Sequence, residues 1–498
     1  MPHPPKNSKK KLTTLDQVSN LVQQGVTLHQ QGNLIEAQVI YEKILSIQPD
    51  HFDALQLLGV LFSQAEQYLQ SIEVLYKALQ INPNHARTYS NYGIALKELK
   101  RFDEALSSYD QAIAINPDYH ESYNNRGNTL KELKRFDEAI NSYNQAITIN
   151  PDYHEPYNNR GNTLKEFKRF DEALVSYNQA ISIDPDYADA YFNKSLLLIL
   201  RGEYGEGWQL YEWRWKQKHN INSRRAYKQP LWLGHESLIN KTLLITIEQG
   251  FGDYIQFIRY ALLVEQLGAK VILEVPLVLM KLASTLKGHF IFVESGKSLL
   301  DFDYYCPIVS LPLAFKTTVE TIPATLPYLY VDKAKKQQLN KRLGKQVMTR
   351  IGLVWTGGPD HKKDCDRSLL LKQFSSLLTL PFEFHSLQKD IREVDAQTII
   401  DFPHMYQHQD ELQDFSDTAA LVDAMDIIIS VDTSVAHLAG AMGKKLLLLL
   451  PYLPDFRWML DREDSPWYPS AKLYRQEKIN DWDTALEKLK ADLLKFIN

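Results

Sequence analysis

Between Tyr123 and Leu133 the apolar residues fall at helical spacing, and they do so again between Phe136 and Ile149. The polar pair "KR" separates the two runs, so the spacing predicts two helices joined by a tight turn. The whole pattern then returns every 34 residues. Pro49, Pro83, Pro117, Pro151 and Pro185 keep that step, as do Gly25, Gly59, Gly93, Gly127 and Gly161. So do Tyr109, Tyr143, Tyr177 and Tyr211, and the small Ala78, Ala112, Ala146 and Ala180. Small Gly127 and Ala139 let the paired helices approach closely, and Pro151 stops the second helix because it cannot donate to the ladder. Five units run from about Asn20 to Asp186. A degenerate sixth unit runs from Tyr187 to Trp215, with Ser195 in place of its glycine and Gly207 in place of its alanine. Terminal repeats are expected to be atypical because they face something other than another repeat.

A 34-residue helix–turn–helix period resembles the tetratricopeptide repeat. After Trp215 the texture changes. "KQKHNINSRRAYKQPLWLGHE" has no period and is rich in charge and amide, a connector that Trp213, Trp215 and Trp232 should pack down. From Lys241 the pattern becomes strand, turn, helix. "TLLITI", "KVILEV" and "HFIFV" read as strands, with helices at "YIQFIRYALLVEQLG" and "LVLMKLASTL" between them. After a pause the strands resume at "RIGLVW", "FEFHSL", "DIIISV" and "KLLLLL". Near-continuous apolar strands alternating with helices predict parallel sheets covered on both faces. Two such halves bind ligands at the carboxyl ends of their strands, in the cleft between them. The expected order is a disordered tail over 1–18, repeats over 19–215, a connector over 216–240, and α/β halves over 241–345 and 346–498.

Composition narrows the function classes. The 498 residues carry 56 Lys and Arg against 61 Asp and Glu, a net charge of −5 with no basic footprint for nucleic acid. The two cysteines, Cys306 and Cys365, have neither metal-ligand spacing nor a disulfide framework, so a reducing, cytoplasmic setting is expected. "MPHPPKNSKKK" lacks the apolar stretch of a signal peptide, and "LLLLLP" is too short to span a bilayer. No transmembrane segment is expected.

Three loops in the α/β part carry candidate chemistry. In "IEQGFGDYIQF", Gly250 and Gly252 allow a tight strand-to-helix turn, and Asp253 stands at the helix entrance. Asp253 is either an N-cap, a frequent role for aspartate, or a carboxylate facing the cleft. The stretch has no third glycine where a dinucleotide fingerprint needs one. In "VDTSVAHLAGAMGKK" a strand ends in Asp432, and Thr433 and Ser434 open a helix whose N–H groups and dipole suit an anion. His437 lies one turn on, on the same face, where it serves the site or merely packs. The third group is "VWTGGPDHKKDCDRS" with "FHSLQKD". Its cations Lys362, Lys363, Arg367 and Lys389, with Gln388 beside the last, either neutralise phosphate or are solvated surface charges.

"EQGFGDYIQFIRYA", "VWTGGPDHKKDCDRS", "SLQKD", "VDTSVAHLAGAMGKK" and "PDFRWMLDREDSPWYP" follow one another in that order. They resemble the glycosyltransferase domain of bacterial tetratricopeptide-repeat proteins, itself similar to the lipopolysaccharide heptosyltransferases. The resemblance covers roughly Pro230 to Asn498. It implies an α-helical tetratricopeptide-repeat superhelix followed by an α/β GT-B fold of two Rossmann-like halves. It further implies a metal-independent cleft without resident cofactor, which takes a nucleotide-sugar donor as substrate. The family's proposed base falls on Asp253, after Gly250 and Gly252. Its donor-binding motif falls on Asp432, Thr433, Ser434 and His437, with Ser434 departing from the family glycine. The family's phosphate-binding lysine has Lys389 and Arg367 as candidate counterparts, beside Gln388.

The layout is also similar to the O-linked N-acetylglucosamine transferases. Asn91, Asn125, Asn159 and Asn193 keep the 34-residue step and match the position of the asparagine ladder that lines those superhelices. A column of amides can hold an extended peptide by its main chain, although recent duplication alone would also preserve it. The ladder breaks at Leu57. The implied activity is inverting transfer of a sugar to an acceptor hydroxyl, on a protein or peptide held by the concave repeat surface. A glycan- or lipid-linked-sugar transferase whose repeats recruit partners, and a non-catalytic scaffold, are the other readings.

Overall fold

A left-handed backbone residue recurs once per repeat. Gly32, Glu66, Lys100, Lys134, Lys168 and Gly202 all have φ between 56° and 83°. Each is the turn that folds the second helix of a pair back on the first. In the computed structural model, residues 14–497 are described, apart from 219, 221–224, 226, 249 and 360–363. The expected disordered tail therefore lies outside the described residues as far as 13, and from Thr14 to Gln30 the chain is one helix.

The first compact unit ends at Asn193 and the second begins at Lys194. In the first, helices such as His120–Glu132 and Phe136–Ile149 alternate through five pairs as an α-helical superhelix. The repeated glycine is explained by a ring. A Cβ on Gly127 would lie 2.6 Å from Tyr143, and one on Gly161 would lie 2.6 Å from Tyr177. Both rings are fully buried, so neither can swing aside. In three of the pairs the second helix also starts on a bidentate pair, such as Arg135–Glu138, 2.7 Å apart. It is exposed and contributes on the order of 0–1 kcal/mol.

The division at Asn193 falls inside the helix Ala188–Leu200, well before the expected boundary at 215. The reason is visible in the degenerate sixth repeat. Trp208, on helix Tyr204–Tyr211, packs edge-on against Phe257 and Phe456, with ring centroids 6.2 Å and 6.0 Å away. Trp467 Nε1 donates to the Tyr204 hydroxyl at 3.1 Å. Arg214 is buried among Glu212, Glu248 and Ser310, at 2.6, 2.8 and 2.7 Å. These contacts make residues 204–216 part of the α/β unit. Gly207 has a separate cause in the helix before it, since a Cβ there would lie 2.7 Å from Ile199.

Two parallel sheets follow. The first contains β1 (Thr242–Thr246), β2 (Lys270–Val275), β3 (Phe290–Glu294) and β4 (Tyr304–Pro307), in the order β3-β2-β1-β4. The second contains β5 (Arg350–Val354), β6 (Glu383–Ser386), β7 (Ile427–Val431), β8 (Lys445–Leu450) and β9 (Ala471–Arg475), in the order β6-β5-β7-β8-β9. The chain reverses its direction of travel between β1 and β4, and again between β5 and β7. The loops after β1, β5 and β7 therefore emerge at topological switch points, where open α/β sheets leave a crevice.

Two strands escape the hydrophobic pattern, and both are edges. β4 is only four residues and ends in proline, and β9 alternates buried with half-buried positions. The connector packs down as expected at Trp232, which is buried and donates its backbone N–H to the Tyr305 carbonyl at 2.8 Å. The helix expected from Tyr254 is two helices, Phe251–Phe257 and Tyr260–Gln266, broken where the Arg259 side chain takes the Gln256 carbonyl at 2.8 Å. The helix expected over "LVLMKLASTL" shrinks to a 3-10 turn and the four residues Met280–Ala283.

The glycine–ring contact gives a direct test of the repeat unit. Gly127→Ala should destabilise the chain by about 1–3 kcal/mol through overpacking against Tyr143. Pairing it with Tyr143→Leu should recover part of that loss. Denaturant unfolding of the single and double variants measures both, and an additive pair would refute the contact as the reason for the glycine.

Candidate functional site

Three sequence-expected loops meet in the second unit. Helix Phe251–Phe257, after β1, packs on helix Ser434–Ala441, after β7, and a Cβ on Gly252 would lie 2.8 Å from the His437 ring. Only glycine permits that approach. Gly250 is the N-cap of the first helix, with φ of 93°. Asp253 is therefore not the cap. It lies in the first turn, and its carboxylate bonds to the Arg457 guanidinium.

Thr433 is the N-cap of helix Ser434–Ala441, in extended conformation, and its hydroxyl makes no capping bond. That hydroxyl lies 3.2 Å from Ser430 Oγ. The first-turn N–H groups of any helix have no intrahelical acceptor, so this end carries donors and positive dipole. His437 Nδ1 is 3.0 Å from the Tyr468 hydroxyl, and Nε2 is 3.8 Å from Asp432 Oδ1. Its ring stacks on Trp458 with centroids 5.3 Å apart. Burial, with Arg259 and Arg367 nearby, pushes His437 down to about 3, so the ring is neutral at ordinary pH. Burial also raises the Asp432 carboxyl above its usual range.

The cations divide. Arg367 donates to the Asp432 carbonyl at 2.8 Å, which brings the loop after β5 to the loop after β7. Lys389 is exposed and reaches the Gln409 carbonyl at 3.3 Å instead. Gln388 is buried and spends its amide on both backbone groups of Thr356, each at 3.2 Å. Its role here is to hold the loop after β5. Lys362 and Lys363 lie outside the described residues. Among the described residues, no three His, Cys, Asp or Glu side chains gather as a metal site would require. No helix among them is long and apolar enough to cross a membrane.

Sequence reasoning missed four residues of this cluster. Arg457, Trp458 and Tyr468 lie in "PDFRWMLDREDSPWYP", a motif quoted above without roles. Arg259 is 2% exposed and donates to the Trp467 carbonyl and the Tyr328 hydroxyl, each at 2.8 Å. Nothing in the local pattern marks it as buried. A cavity of about 330 Å³, lined by Gly202, Glu203, Glu206, Thr318 and Glu320 among others, contains none of these groups. Its glutamates suit an anion poorly.

In the first unit the asparagine column is not an open surface. Asn159 Nδ2 donates to Asn124 Oδ1, and Asn193 Nδ2 donates to Asn158 Oδ1, each at 3.0 Å. Asn124 and Asn158 are 3% and 4% exposed. Asn91, Asn125, Asn159 and Asn193 are themselves half-buried. At Asn159 and Asn193 the column thus ties a repeat to the previous one.

Two measurements follow. Asn159→Ala and Asn193→Ala should each cost about 1–3 kcal/mol, because a buried amide oxygen one repeat earlier loses its donor. Unchanged unfolding curves would return the column to an open face. For His437 the folded value, about 3, lies below the ordinary 6.5. The neutral ring therefore contributes stability in full above pH 6.5, and the contribution is lost as pH falls toward 3. Between pH 7 and 5 the wild type should lose about 2 kcal/mol more than His437→Asn. Equal acid sensitivity in the two proteins would show that the ring is accessible to protons when folded.

Family models described as TPR repeat match residues 127–166 and 168–198. Models described as tetratricopeptide repeat match residues 18–51, 53–118 and 108–141. Protein FlbA of Caulobacter vibrioides is 27% identical over 337 residues, covering 61% of this chain and 54% of FlbA. The chain thus spans about half the length of that curated relative. The matched share of this chain is larger than residues 1–193, so the likeness runs into the second unit. Among solved structures, MamA is 24% identical, covering 33% of this chain and 96% of its own, with a TM-score of 0.31. YrrB, a TPR protein with an unusual peptide-binding site, is 22% identical over 38% of this chain and 95% of its own, also with a TM-score of 0.31. A thermophilic TPR protein in Thermus thermophilus is 23% identical over 36% of this chain and 99% of its own, with a TM-score of 0.33. With the paired helices and the matched models together, residues 18–198 carry tetratricopeptide repeats.

Proposed function

We propose that the chain is a metal-independent inverting glycosyltransferase of GT-B type, which moves a sugar from a nucleotide-sugar donor to an acceptor hydroxyl. One observation carries the reading. Asp253 of the first α/β half is bonded to Arg457 of the second, and its helix packs on helix Ser434–Ala441, whose entering loop Arg367 holds through the Asp432 carbonyl, at the switch points of two parallel sheets. The loops that meet are those whose motifs resemble the heptosyltransferase-like family.

The roles follow from the chemistry. The donor's diphosphate lies at the opening of helix Ser434–Ala441, against the first-turn N–H groups and Thr433. Arg367 approaches the same loop and offsets part of the charge. The acceptor oxygen attacks the anomeric carbon from the side opposite the nucleotide. Its proton passes to the Asp253 carboxylate as the new C–O bond forms. The bond to the diphosphate breaks with its electron pair, and the leaving charge falls on the cationic end of the helix. Neutral His437 and Trp458 shape the wall beside that end. The acceptor hydroxyl belongs to a protein held by the repeats, through groups other than the amides that already bind Asn124 and Asn158.

A thermal-shift screen of nucleotide sugars tests donor binding, since a ligand at 100 times its Kd stabilises by about 2.7 kcal/mol. A scaffold without a donor site shows no shift with any of them. Addition of an unstructured peptide should slow transfer to a protein and leave transfer to a free glycan unchanged.

Asp253→Asn should reduce the transfer rate roughly 10²–10⁴-fold, the usual worth of a positioned base. Because Gly250 is the helix cap, the exchange removes no capping bond, but it takes a charge away from buried Arg457, so the melting temperature should fall while the fold is kept. Near-native turnover would move the base elsewhere in the cleft.

A further inference from the structure

Resting on that reading of the site, we infer that Arg457 is the guanidinium that receives the donor's diphosphate, and that its ion pair with Asp253 is a latch which the diphosphate opens. The sequence assigned Arg457 no role, and the latch couples arrival of the donor to release of the base.

Arg457 lies in the 3-10 turn Phe456–Trp458, on the loop after β8, the neighbour of β7 in the second sheet. Its neighbour Trp458 stacks on His437, on the helix whose opening would take the diphosphate. Arg457 therefore belongs to the second half, yet its Nη2 bonds to Asp253 of the first half. Its Nη1 bonds to Asp455. Its Nε is buried and makes no hydrogen bond.

The second step is electrostatic. A buried cation needs partners on every donor, and an unmet one costs more than a typical hydrogen bond returns. Only 12% of the Arg457 side chain is exposed, and one of its two carboxylates, Asp455, is 36% exposed and so competes with water. Burial brings the guanidinium down to about 10, the direction expected of a cation that is incompletely compensated. A diphosphate offers pairs of anionic oxygens, which the planar fork of a guanidinium binds in bidentate fashion. Arg457 thus has a spare donor and a geometry suited to that ligand.

The third step concerns Asp253. While Oδ1 accepts from Arg457, an acceptor hydroxyl has to share that oxygen with the guanidinium. Gly250 leaves room beside the other oxygen, since a Cβ at that position would lie 2.9 Å from Oδ2. Movement of Arg457 onto phosphate frees Oδ1 for the acceptor hydroxyl when a donor is seated. No covalent change is involved, only exchange of one anion for another.

The test is a double-mutant cycle read by binding, not by turnover. The probes are inorganic pyrophosphate and the diphosphates of uridine, guanosine, adenosine and cytidine, titrated calorimetrically with EDTA present. Asp253→Asn should tighten binding about 3–10-fold, because the competitor for Arg457 is gone. Arg457→Met should weaken it about 10–100-fold, the worth of a charge-assisted contact. In the Arg457→Met background, Asp253→Asn should no longer tighten binding. Where Arg457→Met unfolds or binds too weakly to measure, Arg457→Lys keeps the charge without the fork and completes the cycle. If wild type binds none of the probes, the glycosyltransferase reading itself fails. If wild type binds but Arg457→Met binds equally well, Arg457 is not a diphosphate ligand. Tightening by Asp253→Asn that persists unchanged in both Arg457 backgrounds would show mere removal of a negative charge, and would overturn the latch.

Discussion

The close approach of Gly252 to His437 is the contact on which the α/β unit turns. It requires that one helix present no side chain and that the other present a flat, neutral ring. Around it the neighbouring positions are also small. Ala436, Ala439 and Gly440 keep the second helix thin, and a Cβ on Gly440 would lie 2.4 Å from the Tyr468 ring. A charged imidazolium there would face Arg259 and Arg367 in a dry setting, so neutrality follows from the packing. Asp253 and Arg457 meet because these two helices do.

A second constraint ties the last repeat to the same place. Arg214 pairs with Glu248, which follows β1 by two residues and precedes Gly250 by two. Buried ion pairs contribute little net stability, but breaking one by removing a partner is costly. Glu248 also accepts the Val309 backbone N–H at 2.9 Å, so the loop after β1 is fixed from two sides. Residues 204–216 thus act as a brace for the loop that carries Asp253. The same residues lost the repeat consensus: where another repeat would place its first helix, they meet Phe257, Phe456 and Trp467 instead.

The repeats illustrate how one periodic signal can serve two causes. The asparagine column keeps its step whether it contacts a ligand or the preceding repeat. Hydrogen bonds from Asn159 and Asn193 to buried amides make the internal cause sufficient for those two positions. The glycine column is simpler, since each of Gly93, Gly127 and Gly161 lies under a buried tyrosine 16 residues on. A residue selected by a steric contact and one selected by a ligand look alike in sequence when both repeat.

Periodicity determined the helix pairs, their turns and the change to parallel α/β structure, because each rests on spacing within a few tens of residues. The interior strands were legible for the same reason: buried on both faces, they are continuous apolar runs. β4 and β9 were not, because "YYCP" is only four residues ending in proline and "AKLYR" is broken by Lys472, whereas the other two edges, β3 and β6, kept readable apolar runs. Motif order marked the loops of Asp253, Thr433 and Arg367, and the fold brings those loops together at switch points. The partner of Asp253 could not be read locally, since Arg457 lies more than two hundred residues away and its burial comes from elements of both halves. Nor could spacing reveal that Gln388 is spent on Thr356 while Lys389 turns away, as both are polar residues at the end of one strand. Hydrophobic pattern is a property of the chain, but which charges share a dry site is decided only when distant segments close over them.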